Sequence, residues 1–329
     1  MGSLLFAATL ASGLAGGVAF YRHPSATGRQ LLRLRLILSG ASEHTVGVRG
    51  LPVRYFEYLP STPRPDLETL VLLHGFGDSA ETWSLVLPRL RGERRIVAPD
   101  LAGFGRTPIP TEGMSFSVLT DYLGWFLDAV GAQKISLVGN SLGGAVAIRY
   151  AADHPERVDH LFLLDSAGLH GETTIAAVQP KTREEARQTV RNVSGTDFRR
   201  LPRFLLDDVV RRAQEPARQQ YRDSGELTDV LRYLPRIEAP TTIVWGERDG
   251  LIPTEHADHM HEAVEGSALT FCRTQATSRS FKLPGESPTS FTEASGIKRA
   301  TSKARRAKLG FSGCAGNLEV SRPGLAPGT

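Results

Sequence analysis

Residues 135–153 read ISLVGNSLGGAVAIRYAAD, and few backbone arrangements accommodate that order. An apolar run ends in glycine, a serine follows after one asparagine, and two more glycines open a stretch of small residues. The run suits a buried strand, and the small residues suit a helix lying close against a sheet. Ser141 then sits on a strand–turn–helix junction that lifts its hydroxyl clear of the backbone. Gly139 and Gly143 are the positions where neighbouring side chains would collide with such a turn. A serine that simply caps a helix leaves the glycines at 139, 143 and 144 unexplained. In a chain with 33 glycines the Gly-x-Ser-x-Gly string is weak evidence by itself; its context makes it strong.

The flanking sequence alternates short apolar runs with longer helical stretches, the pattern of a mainly parallel sheet. An opening antiparallel strand is expected over 51–59, and buried strands over 69–73, 95–98, 134–139, 158–165 and 241–245. Helices are expected from about 80, over 117–130 and over 142–153. Between the last two strands lie charged, amphipathic stretches at 182–191, 198–212 and 215–233, suited to helices. Such an insertion would lie over the carboxyl ends of the strands, where α/β sheets place ligands. A lid is the expected role, because an apolar pocket needs walls that an open sheet does not supply. The fold class is therefore α/β, a mainly parallel sheet flanked by helices with a helical lid.

A serine is a weak nucleophile until a base takes its proton and donors stabilise the developing oxyanion. The backbone N–H of Leu142, opening the helix, is one expected donor. His74-Gly75-Phe76-Gly77 follows an earlier strand, and the N–H of Phe76 is the expected second. His74 is expected to brace that loop by hydrogen bonding. Asp249, in WGERDGLIP after the penultimate apolar strand, is placed to orient an imidazolium. Glu247 reads as a solvated loop charge, and Asp165 is the less favoured acid.

Taken together, HGFG, DLAGFG, GNSLGG and WGERDGLIP resemble the α/β-hydrolase family over about residues 46–270, in family order and spacing. Within it, the apolar N-terminus, HGFGDSAETW and Asp165-Ser166-Ala167-Gly168-Leu169 look most like bacterial lipases related to membrane-associated monoacylglycerol lipases. The resemblance implies a serine ester hydrolase acting on a small-molecule acyl ester, with neither metal nor cofactor. Carbon–carbon bond hydrolysis by the same triad, or non-catalytic ligand binding, are the alternatives. The family pattern also expects a histidine about 25–30 residues beyond the acid, in Gly-His-x-Pro. Here the chain departs from it.

All nine histidines lie at or before His261. From Phe271 onward the periodicity vanishes and both cysteines appear, with ten Lys and Arg against three Glu. That stretch carries +7 of the formal +4, leaving −3 on the rest, so the overall basicity does not point to nucleic acid. Back-translating from residue 271 with G or C in every third position, and reading two bases later, gives Leu-Pro-Asp-Ala-Gly-His-Gln-Pro. The histidine codon then straddles Ala276 and Thr277. The expectation is an out-of-frame tail over 271–329 that removes the base, the final strand and the final helix. The rival is a genuine C-terminus with His256, His259 or His261 recruited as base.

Residues 4–20 form an uncharged apolar run followed by Arg22, Arg29, Arg33 and Arg35. The run is marginally short for a spanning helix, and the arginines would keep the following domain cytoplasmic. The division expected is 1–24 candidate membrane anchor, 25–45 linker, 46–169 and 237–270 core, 170–236 lid, and 271–329 tail.

Overall fold

The structure, a computed structural model, describes residues 20–62, 67–169, 175–194, 200–224 and 229–272. Eight strands form one sheet in the order β1-β2-β4-β3-β5-β6-β7-β8. β1 (Ser42–Val48) and β2 (Leu51–Tyr58) are an antiparallel hairpin, and β2 also runs antiparallel to β4 (Ile96–Pro99). β3 (Thr69–Leu73), β4, β5 (Ile135–Asn140), β6 (Val158–Leu164), β7 (Thr241–Gly246) and β8 (Ala268–Cys272) pair in parallel. Their carboxyl ends consequently share one rim.

The strands are apolar on both sides because helices cover both faces. Leu70 and Leu72 of β3 face a cluster with Leu36 of α1 (Pro24–Leu38), Trp83 of the 3-10 helix Ala80–Leu85, and Leu87 of α2 (Leu87–Leu90). Val71 and Leu73 face the opposite cluster, with Phe126 of α3 (Phe116–Ala129), Ala145 of α4 (Leu142–Asp153) and Met260 of α8 (Glu255–Ala263). Between β6 and β7 come α5 (Arg183–Ser194), α6 (Arg203–Ala213) and α7 (Pro216–Asp223).

Two expectations need correction. Residues 25–45 are not a linker: α1 occupies most of them, and β1 begins at Ser42. α1 bridges core and insertion, since Arg35 Nε donates to the Ser84 carbonyl at 2.9 Å and the Ser25 N–H to Asp208 of α6 at 3.0 Å. β1 escaped notice because it is a mostly solvent-facing edge strand without an apolar run. The final strand is also present: Ala268–Cys272 pairs with β7 from Thr242↔Ala268 to Gly246↔Cys272. Residues 273–329, including the Ala276–Thr277 position, lie outside the described residues, as do residues 1–19 of the candidate anchor over 1–24. Among the described residues no helix is long and apolar enough to cross a membrane.

Beneath the rim, Arg54 of β2 is buried among three carboxylates, bonding Glu43 at 2.6 Å, Glu81 at 2.6 Å and Asp100 at 2.9 Å. Asp100 also accepts from the N–H groups of Ala80 and Arg106, at 2.7 and 2.8 Å. The network thereby ties the edge hairpin to the loops after β3 and β4.

Candidate active site

Ser141 stands between β5 and α4 with φ 51° and ψ −119°, a left-handed conformation costly for a side chain. Backbone bonding holds it there. Its N–H donates to Leu164 O at 3.0 Å, while its carbonyl accepts from Gly144, Ala145 and Ala167 at 2.9, 3.2 and 3.0 Å. The turn fits only because two neighbours lack side chains. A Cβ on Gly139 would lie 2.4 Å from Gly143 O, and one on Gly143 would lie 2.6 Å from both Leu73 O and His74 O.

The loop after β3 backs directly onto this turn, since a Cβ on Gly75 would come within 3.3 Å of Ser141 Cβ. Phe76 therefore sits beside the serine, and Leu142 opens α4 from it. Among the described residues, no hydrogen bond takes up the Ser141 hydroxyl or the backbone N–H of Phe76 or Leu142. His74 is fully buried, with Nδ1 donating to Gly75 O at 2.8 Å and Nε2 accepting from the Leu101 N–H at 3.0 Å. Both ring nitrogens are occupied, so His74 braces the loops after β3 and β4 and has no lone pair for a base.

Asp249 lies on the same rim after β7. Its Oδ1 accepts from the N–H groups of Leu251 and Ile252, at 2.7 and 3.0 Å. Burial pushes its carboxyl above the ordinary value, with those two backbone bonds pulling the other way. No imidazole bonds it among the described residues. His256 is buried on α8, and His259 and His261 are exposed on the same helix, where His261 Nδ1 is hydrogen-bonded to the Ser267 hydroxyl at 2.7 Å. Glu247 is solvent-facing. Asp165 is buried with φ 43°, its Oδ1 taken by the Gly246 N–H at 2.7 Å, so it joins β6 to β7. No group of His, Cys, Asp and Glu suited to a metal ion occurs among the described residues.

The helical insertion touches each of the loops around the serine. Tyr221 of α7 packs on the Phe76 ring, 5.6 Å between centroids, and Phe104 meets the same ring edge-on at 5.5 Å. The Val230 N–H donates to Gly168 O at 2.8 Å, and the Gly250 N–H to Asn192 O at 3.2 Å. Arg212 and Arg218 both donate to Gly77 O. Those two arginines and Tyr221 are absent from the sequence-level site. They belong to a charged stretch, RRAQEPARQQYR, whose charge suggests a solvated face, and only the packing of two different helices turns them inward.

A family model described as alpha/beta hydrolase fold matches residues 68–273. The chain belongs to the α/β-hydrolase family. Among its relatives, the 2-hydroxy-6-oxo-2,4-heptadienoate hydrolase of Pseudomonas putida is 29% identical over 260 residues, covering 71% of this chain and 86% of its own length. The 2-hydroxy-6-oxo-6-(2'-aminophenyl)hexa-2,4-dienoic acid hydrolase of Metapseudomonas resinovorans is 28% identical, covering 68% and 81%. Among solved structures, a membrane phospholipase A described as a bacterial virulence factor aligns with TM-score 0.64 at 27% identity, over 82% of this chain and 90% of that one. Hydrolases of this family thus include both carbon–carbon bond hydrolases and lipases, and this chain is a hydrolase by family.

Proposed function

We propose that the protein is a serine ester hydrolase of lipase or esterase type. The observation that carries this reading is the Ser141 turn, with an unengaged hydroxyl beside two unengaged N–H groups on a rim roofed by helices. In the proposed reaction Ser141 Oγ attacks the ester carbonyl carbon while a base takes its proton. The N–H groups of Phe76 and Leu142 hold the oxyanion, each worth about 3 kcal/mol. Collapse expels the alcohol, which takes the proton from the base, and water then releases the acyl group. Asp249 orients the base, Gly139 and Gly143 keep the turn, and α5 to α7 act as lid.

The base is the histidine encoded across Ala276 and Thr277 in the shifted frame. β8 supports that placement, because a strand ending at Cys272 leads the chain to the rim about where such a residue is needed. Resequencing the gene across codon 271 tests the frame, and an uninterrupted FCRTQATS frame would refute it. Fluorophosphonate labelling and p-nitrophenyl ester turnover, before and after restoring the frame, test the chemistry. The restored protein should label at Ser141 and turn over; no labelling would favour a non-catalytic binder.

A second reading, carbon–carbon bond hydrolysis, is favoured by the names of the dienoate hydrolases. The restored protein assayed on a hydroxy-oxo-dienoate separates the two, with faster loss of the dienoate than of any ester supporting the second.

A further inference from the structure

Two other buried guanidinium groups meet a carboxylate at hydrogen-bonding distance. Arg54 meets Glu81 at 2.6 Å, and Arg94 meets Glu68 at 2.5 Å. The junction of α1, α6, α7 and the loop after β3 departs from that pattern. Arg212 Nη2 and Arg218 Nη2 each donate at 2.6 Å to one neutral acceptor, Gly77 O. Their Nε atoms are buried and make no hydrogen bond among the described residues. The carboxylate they share, Glu215, stays at 3.9 Å from Arg212 and 3.7 Å from Arg218.

Arg218 is only 8% exposed, and its guanidinium also lies over the Phe76 ring, 5.6 Å from the centroid. Burial first, then repulsion from Arg212, lowers its pKa to about 10, with Glu215 and Asp78 partly offsetting this. Arg212 is lowered in the same direction by burial and by Arg29 of α1. Arg29 itself has no ion pair among the described residues.

Beside these groups opens a cavity of about 250 Å³, lined by Arg29, Arg212, Asp78, Glu215 and Gly77, with Pro216 and Ala217 at the first turn of α7. In the lining Arg29 and Arg212 are matched in number by Asp78 and Glu215, so the excess positive charge comes from Arg218, which meets Gly77 from outside the lining, and from the positive end of α7. Buried cations without a hydrogen-bonded anion are costly. Ser141, Phe76 and Leu142 do not line this cavity, although Gly77 and Phe104 of its wall adjoin the Phe76 loop.

The geometry points to a binding site for a phosphate-bearing anion in this cavity, held by Arg29 and Arg212 with Arg218 behind them. Phosphate suits the site better than a carboxylate because Arg29 and Arg212 line it from two separate helices. A tetrahedral phosphate offers three strong acceptor oxygens in different directions, whereas a carboxylate offers two in one plane. A bound phosphate would tie α1 and the insertion to Gly77, two residues beyond Gly75. The inference concerns binding and does not depend on the catalytic reading.

The test uses the full chain and inorganic phosphate, with titration calorimetry and thermal melting at constant ionic strength. Saturable binding and a rise in Tm are expected, absent with chloride. Arg29→Gln and Arg212→Gln, each shown to be folded by near-ultraviolet circular dichroism, should bind about tenfold or more weakly, the loss of a charge-assisted hydrogen bond. A second arm uses phosphatidylcholine vesicles with and without phosphatidylglycerol. Retention on the anionic vesicles that both variants lose assigns the site to a lipid headgroup. Saturable binding of free phosphate without such retention assigns it to a soluble phosphate ester. Failure of both arms, or equal binding by the folded variants, overturns the proposal.

Discussion

At Ser141 four backbone hydrogen bonds hold a conformation that costs a side-chain-bearing residue roughly 1–3 kcal/mol. The strain faces the hydroxyl outward and leaves it unengaged, at the expense of stability. Ser141→Gly should accordingly raise unfolding free energy by about 1 kcal/mol in a urea titration. In the frame-restored protein the same variant should abolish labelling by a fluorophosphonate and drop ester turnover to the residual level of a triad knockout, about 10³–10⁴-fold over water. Asp249 invites a second substitution. Burial raises its carboxyl, so its ionised form is disfavoured in the folded protein. The penalty is absent below the unfolded pKa near 4 and grows as pH rises through the window up to the raised folded value. Asp249→Asn can keep the bonds from Leu251 and Ile252 and loses the charge. Its Tm should exceed that of the parent at neutral pH and converge with it in acid, while turnover of the frame-restored enzyme falls by about 10⁴ because the imidazole loses its orienting partner.

At the scale of elements, α4 lies so close to β3 that Gly143 has no room for a methyl group. Gly143→Ala would press a Cβ against the carbonyl oxygens of Leu73 and His74, both backbone atoms that cannot swing aside. A cost of about 1–3 kcal/mol is expected from such overpacking, read as a lower urea midpoint with unchanged slope. Because His74 leads into the Phe76 loop, turnover of the restored enzyme should also fall. The element boundaries of α4 and β5 follow closely from sequence, because their signals are local: an apolar run, then small residues at helical spacing. β1 and α1 were missed for the opposite reason. β1 is a polar edge strand that exists only by pairing along β2, and α1 presents Leu31, Leu34 and Leu38 to solvent while burying Leu36. Neither shows a clean one-faced period.

At the scale of the molecule, the buried ion cluster around Arg54 joins the hairpin to the loops that frame the rim. Burial alone would raise the carboxyls of Glu81 and Glu43, but hydrogen bonds and charge from Arg54, with Arg33 helping at Glu43, hold both below their ordinary values. Stability from these groups is therefore present above the unfolded carboxylate range and is lost as pH falls through their lower folded values. Arg54→Leu leaves three carboxylates around a missing cation and should cost about 3–5 kcal/mol at neutral pH. The deficit should shrink on acidification, which chemical denaturation at pH 7 and pH 4 would check. A constant deficit would mean that lost packing, rather than lost charge pairing, is responsible.

The order of the central strands and the helices between them, the glycine-flanked turn at Ser141 and the loops carrying Phe76 and Asp249 were determined by the sequence alone. Each rests on interactions within a few residues, and the parallel topology then places them on one rim. What the tertiary structure decided were contacts between distant parts of the chain. His74 became a brace because Leu101 meets its second nitrogen, and Asp165 was engaged by Gly246. Residues 268–272 became the eighth strand by pairing with β7. Arg212 and Arg218 turned from surface charge into buried cations because α6 and α7 fold back onto Gly77, more than 130 residues earlier. Periodicity can show which face of a helix is polar. Whether water or another part of the chain meets that face depends on packing.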